Sequence, residues 1–374
     1  MDAPSYATGR TFTGCDIEHR SPNNRSRGFR IRSESMAIKG SKVSIVVVYH
    51  KDCADGFGAA YATWKALADR PKYVPVSYDG RNSFVDEVEK LTYSPVDTLY
   101  VVDFSFDLSQ LSRLSKLCGR IVVLDHHDTA RNELMVRGAV NGRQLDDWTT
   151  KPEIQRLGNI YIEFDMERAG CQLTWDNFFR SSAAIGNVPR PRFIDYLGWR
   201  DLWWHKRRDT HKKYAEEIEA LHLYLNAMPY DFHTWDYVCN HLEETIQKGR
   251  PILAFYKQQL RIGAASCVDR MVNWPVSRAG SKLRVGLVNV PLFFASDMTE
   301  FVYEREFAIG AGDYKMLAFW CIERDCRAHI SLRSREREGD IHCGDFAKVY
   351  GGGGHPGAAG FSVAPAQLET IFIE

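Results

Sequence analysis

The stretch Ile121-Val122-Val123-Leu124-Asp125-His126-His127 places three polar residues directly after a short apolar run. Two other apolar runs end in the same way, since residues 43–49 lead into His50 and residues 99–102 lead into Asp103. Short runs of this kind, rich in β-branched residues, are typical of strands buried on both faces of a parallel sheet. The sequence therefore predicts an α/β fold with helices on both faces of its first sheet.

Helical patterns follow two of these runs. Residues 57–67 are rich in alanine, and Asp107 precedes leucines at every third position from 108 to 117, as a capping residue would. In such α/β folds, the loops that leave the carboxyl ends of parallel strands share one edge of the sheet, where ligands bind. We therefore expect five polar residues to converge there: Asp52, Asp55, Asp103, His126 and His127.

A cluster of carboxylates and imidazoles would repel itself and lose hydration unless cations neutralised it. One triplet alone fits a solvated strand end equally well, and the repetition favours a metal site. Cys53 lies within the first motif, but the chain has no Cys-x-x-Cys pair, so the donors suit Mn²⁺ or Mg²⁺ better than a structural zinc ion. Two ions about 4 Å apart would clamp a phosphoryl group and activate a water, which predicts phosphoester hydrolysis.

The chain carries, in order, His50-x-Asp52-x-x-Asp55-Gly56, Asp103 and Asp125-His126-His127. This series resembles the successive motifs of the DHH phosphoesterases. Many relatives space the first motif as His-x-x-x-Asp-x-Asp, whereas the carboxylates here fall two and five residues after His50. Asp52 is therefore either a ligand or a residue that supports one.

The C-terminal half carries Ser331-Leu332-Arg333-Ser334 and later Tyr350-Gly351-Gly352-Gly353-Gly354-His355-Pro356-Gly357-Ala358-Ala359-Gly360. These segments resemble the signature of the DHH-associated domain that accompanies the catalytic domain. Glycines let backbone amides approach an anion, although a tight turn is the alternative use for such a run. The resemblance implies a bilobed protein with a smaller C-terminal α/β domain, and a substrate-binding set of Arg333, Gly352, Gly353, Gly354 and His355.

The resemblance also implies the roles of the polar cluster. We assign the fourth metal motif of the family to Asp201, with Asp195 and Asp165 as competitors. His127 is expected to contact the scissile phosphate or assist the leaving oxygen, and Asp125 is expected to bind metal or orient a histidine. The predicted metal ligands are His50, Asp52, Asp55, Asp103, His126 and Asp201.

Composition limits the substrate. Lysine plus arginine and aspartate plus glutamate both total 48, so no net positive charge is available to hold long nucleic acid. The nine cysteines show no framework spacing, and no apolar run approaches the roughly 20 residues of a membrane span, so we expect a cytoplasmic protein. The predicted organisation is an arm that is disordered or targets an organelle (1–40), a catalytic domain (41–205), a helical connector (206–280) and a DHH-associated domain (281–374).

The predicted activity is hydrolysis of short single-stranded RNA or DNA oligonucleotides by two Mn²⁺ ions, with Mg²⁺ as an alternative and a homodimer allowed. A second enzyme hypothesis is a phosphatase for a bisphosphorylated nucleotide such as 3'-phosphoadenosine 5'-phosphate, or a phosphodiesterase for cyclic dinucleotides. A third hypothesis, of another class, is a noncatalytic nucleotide- or RNA-binding protein that keeps the fold.

Overall fold

The computed structural model describes residues 45–90, 96–137, 153–180, 187–273, 282–310, 314–335, 342–354 and 356–374. All of them belong to one compact unit, Val43–Glu374. The predicted N-terminal arm (1–40) and His355 lie outside the described residues. Among the helices in these ranges, none combines the length and the apolar character that crossing a membrane requires.

The first lobe is built on a six-stranded sheet. Its strands are β1 (Ile45–His50), β2 (Lys72–Val76), β3 (Val96–Val102), β4 (Cys118–Asp125), β5 (Glu153–Leu157) and β6 (Ile160–Phe164). They lie in the order β2-β1-β3-β4-β6-β5, and every neighbouring pair is parallel except β5 with β6. The predicted parallel sheet is therefore confirmed, with one antiparallel strand at its edge.

Helices cover both faces of this sheet, as the sequence predicted. The helices are α1 (Ala54–Leu67), α2 (Arg81–Lys90), α3 (Leu108–Ser115), α4 (Asp128–Arg137), α5 (Gly170–Trp175) and α6 (Arg192–Asp201). Adjacent residues of β1 enter different cores: Val47 packs with α1, α5 and α6, whereas Val48 packs with α2, α3 and α4. Asp107 caps α3 as expected, because its side chain accepts a hydrogen bond from the Gln110 amide at 2.8 Å.

A helical segment joins the lobes. It contains α7 (Trp204–Arg207), α8 (Asp209–Lys212), α9 (Ala215–Asn226), α10 (Phe232–Asn240) and α11 (Leu242–Ala265). α11 continues through Pro251, a residue type that usually interrupts a helix. Its close packing against α9 explains why, since a Cβ on Gly249 would lie 2.1 Å from the carbonyl oxygen of Ala220. That packing outweighs the roughly 3 kcal/mol that a proline costs within a helix.

The second lobe contains a mixed sheet, which also has six strands. Its elements are β7 (Val268–Asn273), β8 (Lys282–Asn289), α12 (Ala295–Ala308), β9 (Met316–Ile322), β10 (Ala328–Arg333), α13 (Cys343–Val349), β11 (Gly353–Gly354), β12 (Ala358–Val363) and α14 (Leu368–Ile371). The strand order is β11-β12-β10-β9-β8-β7, with β8 and β9 the parallel pair. β7 pairs with β8, so the second sheet begins at Val268, ahead of the domain boundary predicted at 281.

Candidate metal centre

The order of strands in the first sheet reverses at β1, because β2 lies on one side of it and β3 on the other. At such a switch point the loops leaving the strands diverge and open a crevice at the carboxyl edge. His50 is the last residue of β1, Asp103 follows β3, and Asp125 ends β4. The three strand ends that carry the sequence motifs therefore meet at this edge.

His126 lies at the middle of the cluster. Its Nε2 is 3.1 Å from Asp103 Oδ1 and 3.4 Å from Asp55 Oδ2. The same nitrogen is 3.5 Å from Asp201 Oδ2 at the end of α6. His50 joins from the other side, with Nδ1 3.7 Å from Asp103 Oδ2. The structure thus brings together five of the six predicted metal ligands.

Three groups of side chains in the described residues could each hold a metal ion, with ligand atoms no more than 4.8 Å apart. They are His50 with Cys53 and Asp103, Asp103 with His126 and His127, and Asp55 with His126 and Asp201. Asp103 belongs to two of the groups, so ions held by both groups would share it. The sequence analysis did not predict Cys53 as a ligand, although its position between His50 and Asp55 is a signal for one.

The donors of this centre fit a divalent cation. Asp55 and Asp103 are only 2% and 1% exposed, and His50 Nδ1 and Asp103 Oδ2 are buried without a hydrogen-bond partner. Burial together with the Asp55 carboxylate raises the pKa of both Asp103 and Asp201. Packed carboxylates with raised pKa values lack neutralising charge, and an ion bound among them would supply it.

Asp55 is held in place by the start of α5. Burial alone would raise its pKa, but hydrogen bonding and charge from His126 lower it below the usual value. The amides of Gly170 and Cys171 donate to its two oxygens at 2.6 and 3.0 Å. A helix N-terminus favours negative charge, so α5 keeps this carboxylate ionised and fixed.

Asp125 orients His127. It is fully buried, and it accepts hydrogen bonds from His127 Nδ1 at 2.6 Å and from the Ser105 hydroxyl at 2.5 Å. Burial would lower the pKa of His127, but the Asp125 carboxylate outweighs it and raises that pKa to about 9. Of the two roles predicted for Asp125, the geometry is that of the residue that orients a histidine. Ser105 was missed, because nothing in its sequence context separates it from an ordinary loop serine.

Asp52 does not reach the cluster. Its side chain is 85% exposed, and its carboxylate lies 3.7 Å from Lys51 Nζ. The competitors for the fourth motif also have other partners: Asp195 accepts hydrogen bonds from Arg190 and Gln172, and Asp165 pairs with Arg168. Among the aspartates weighed for that motif, Asp201 is the one whose carboxylate approaches His126.

Cys53 is half-buried beside the carboxylates of the centre. Burial and the carboxylates of Asp103, Asp55 and Asp201 raise the pKa of its thiol. The preceding residue, Asp52, has φ of 54°, in the left-handed region. The turn at Asp52 leaves its own carboxylate in solvent, while the Cys53 side chain lies inside the cluster.

One cavity opens on the centre, and a second cavity lies next to the first. The first, of about 900 Å³, is lined by the metal-centre residues His50, Cys53, Asp55 and Asp201 together with Arg200, Trp203, His222 and Phe293. The second, of about 710 Å³, is lined by Trp203 and by four cationic side chains, Lys206, Arg207, Arg333 and Arg335. Trp203 lines both cavities, so the basic cavity is the neighbour of the cavity that opens on the metal centre.

Arg333 lines the second cavity, and its side chain is hydrogen-bonded to residues of β10 and α12. Its Nη1 donates to the Ser331 hydroxyl and the Leu332 carbonyl, both at 2.8 Å, and Nη2 donates to the Ser296 hydroxyl at 2.9 Å. Burial lowers its pKa. The guanidinium is therefore fixed in position beside the basic cavity, where its predicted role is to hold phosphate.

The glycine run packs against its neighbours. The Gly352 amide donates to the Ala347 carbonyl at 2.9 Å, and a Cβ on Gly352 would lie 2.1 Å from the Gly360 carbonyl oxygen. Gly353 and Gly354 pair with β12. Gly352 lines a third cavity, of about 680 Å³, that does not include Arg333. Close chain packing accounts for Gly352, whose amide is not available to an anion, and binding by Gly353 and Gly354 stays a prediction.

Comparison with known proteins gives distant matches. No protein-family model matches this chain. Uncharacterized protein R106 of Acanthamoeba polyphaga mimivirus is 25% identical over 328 residues, which cover 85% of this chain and 67% of that protein.

Similar solved structures include the pGpG-specific phosphodiesterase PggH from Vibrio cholerae, with 9% identity, a TM-score of 0.44, and coverage of 87% of this chain and 95% of that one. CDC45 from Entamoeba histolytica has 9% identity and a TM-score of 0.45, over 87% of this chain and 93% of that one. At these identities and scores, function has to be argued from the metal centre itself.

Proposed function

We propose that this protein is a DHH-type, metal-dependent phosphodiesterase that hydrolyses short oligonucleotides. The observation that carries the proposal is the convergence of His50, Asp55, Asp103, His126 and Asp201, which come from four separate segments, on one edge of a parallel sheet. Structural packing alone does not call for three carboxylates and two imidazoles within a few ångströms of one another, whereas a centre for two divalent ions does.

Each residue of the centre has a definite task in this proposal. Divalent ions bound here would polarise the phosphoryl group and lower the pKa of an attacking water. Asp103 contributes an oxygen to each of two ligand groups and so fixes their separation. The Asp125 carboxylate binds His127 Nδ1, which leaves Nε2 as the ring nitrogen that can donate a proton to the leaving oxygen. The Asp125 carboxylate raises the pKa of His127, which favours the protonated ring that this role requires.

A short substrate fits the cavities and the charge. Cavities of about 900 and 710 Å³ have the size of sites that bind small molecules, rather than of a groove that holds a long nucleic acid. The cations beside the second cavity, with Arg333 fixed among them, suit one or a few phosphates, and the net charge of zero does not favour a long chain. Mn²⁺ is the metal we propose for the group of Asp55, His126 and Asp201, because its donors are oxygen and imidazole nitrogen.

The test is turnover of a labelled RNA ladder of two to about twenty nucleotides with Mn²⁺, Mg²⁺ or chelator. We expect metal-dependent cleavage that is strongest on the shortest members and is lost in Asp103→Asn. Asn tolerates the left-handed backbone of this position, where φ is 52°, so the variant removes charge without adding strain. Asp195→Asn is the matched control, because Asp195 lies on α6 outside the cluster. The asparagine keeps an oxygen that can accept the hydrogen bond from Arg190.

Two results would redirect the proposal. Absence of cleavage at every length by folded, metal-loaded protein would overturn the oligonucleotide substrate, and bisphosphorylated nucleotides and cyclic dinucleotides would then be tested in the same assay. RNA binding that survives both chelation and Asp103→Asn, with no turnover of any of these substrates, would favour the noncatalytic binding protein.

A further inference from the structure

Cys53 lies where a metal ligand would be expected. Its Sγ, a ring nitrogen of His50 and a carboxylate oxygen of Asp103 all lie within 4.8 Å of one another. The other group in which an ion is expected, Asp55 with His126 and Asp201, contains no sulfur. The two ends of the centre therefore differ in the chemistry of their donors.

Two further atoms in the Cys53 group lack the partner that an ion would provide. His50 Nδ1 and Asp103 Oδ2 are buried and make no hydrogen bond, although they lie 3.7 Å apart. Asp103 is 1% exposed, so solvent does not satisfy this oxygen. A buried acceptor without a partner costs about 1–3 kcal/mol, and more when it is charged. A cation among these three side chains would satisfy both atoms at once.

Cysteine is not the residue type that this helix start favours. Cys53 is the N-cap residue of α1, and its carbonyl accepts the Phe57 amide at 2.9 Å, but its side chain makes no capping hydrogen bond. Serine, threonine, aspartate or asparagine would cap this helix better. The Cys53 side chain instead turns into the cluster, where Asp103 and Asp55 lie close enough to act on its thiol.

We propose that Cys53 is a ligand of the metal centre and that the ion it shares with His50 and Asp103 is softer than its neighbour. Thiolate and imidazole donors favour Zn²⁺, Co²⁺ or Fe²⁺, whereas the carboxylate-rich group at the other end suits Mn²⁺ or Mg²⁺. Binding breaks the S–H bond, forms a metal–sulfur bond and releases the proton to water. This inference rests on the metal centre of the proposed function and does not depend on its substrate.

Cobalt reports directly on sulfur ligation. The chelator-treated full-length protein is titrated with Co²⁺ and followed in the near-ultraviolet for sulfur-to-cobalt charge transfer and in the visible for bound Co²⁺. The wild type should show both signals, and Cys53→Ser should lose the charge-transfer band while keeping visible absorption from the other group. Cys118→Ser is the matched control. Cys118 is buried at the first residue of β4, and the length of the strand, about 20 Å, separates it from Asp125.

A second variant tests metal preference. Cys53→Asp replaces the sulfur with a carboxylate, so the ratio of Zn²⁺ to Mn²⁺ affinity should fall. Wild-type protein that binds Co²⁺ without a charge-transfer band would overturn the inference, as would a band that persists in Cys53→Ser. A Cys53-dependent band in protein that cleaves no RNA would support the sulfur ligand and contradict only the phosphodiesterase activity. RNA cleavage by protein that lacks the band would support the activity and contradict the sulfur ligand.

Discussion

Gly170 is the residue whose replacement tests most sharply how the fold builds the centre. It is the first residue of α5, and a Cβ added to it would lie 2.4 Å from Asp103 Cβ and 2.6 Å from Asp103 Oδ1. Ordinary contact begins at 3.4 Å, so one of the two groups must move by about 1 Å. Asp103 is 1% exposed and has its backbone in the left-handed region, which leaves it little room to move.

We expect Gly170→Ala to weaken both the fold and the centre. Overpacking costs about 1–3 kcal/mol, part of which the helix propensity of alanine offsets, so the free energy of unfolding should fall by about 1–2 kcal/mol. A displacement of about 1 Å exceeds the roughly 0.5 Å within which a site must be held. Since Asp103 belongs to two ligand groups, Mn²⁺ affinity should fall at least roughly tenfold.

The assay combines urea unfolding of the metal-free protein with calorimetric titration of Mn²⁺. Gly158→Ala is the control, because Gly158 has φ of 60° and a Cβ added to it would meet no atom within 4 Å, so alanine there adds about 1–2 kcal/mol of backbone strain without touching Asp103. Both variants should lose stability, and only Gly170→Ala should lose affinity. Wild-type affinity in Gly170→Ala, or an equal loss in Gly158→Ala, would refute the reasoning.

Three other predictions concern charge. In the presence of chelator, the Asp125–His127 pair stabilises the fold fully below about pH 6.5 and loses this contribution as the pH rises towards 9, because the carboxylate raises the pKa of His127 from 6.5 to about 9. Thermal unfolding measured across this pH range should show a smaller decline in melting temperature for Asp125→Asn than for the wild type. Asp297→Asn should lower the free energy of unfolding, measured in urea, by about 1–3 kcal/mol, because Asp297 of α12 pairs with Arg200 of α6 at 3.2 Å. An unchanged urea midpoint would show that this ion pair does not stabilise the contact between α6 and α12. Arg333→Met should raise KM for a dinucleotide by roughly 10–100-fold with little change in kcat, as expected for loss of a hydrogen bond to phosphate; a fall in kcat at constant KM would place Arg333 in the chemical step instead.

The sequence predicted the central strands and their shared edge because that information is local. The runs that became β1, β3 and β4 are apolar on both faces, and each ends in a polar motif. The edge strands gave weaker signals. β2 contains Pro75, which disfavours a strand except at an edge, and β5 alternates between half-buried and exposed residues, as a one-sided edge strand does.

The composition of the metal centre was only partly predictable. Spacing after His50 pointed to Asp52, yet φ of 54° at that residue turns the chain so that Asp52 faces solvent and Cys53 enters the cluster. Ser105 acquires its role only because β3 and β4 are adjacent, which brings it within 2.5 Å of Asp125. Both assignments depend on backbone direction and strand pairing, which residue types alone do not reveal.

The most direct test of a two-ion centre is anomalous diffraction from crystals of the metal-loaded protein, measured at the manganese and zinc absorption edges. We predict two peaks on either side of Asp103, one near His50 and one between Asp55, His126 and Asp201. A single peak, or peaks away from the carboxyl edge of the first sheet, would contradict the account.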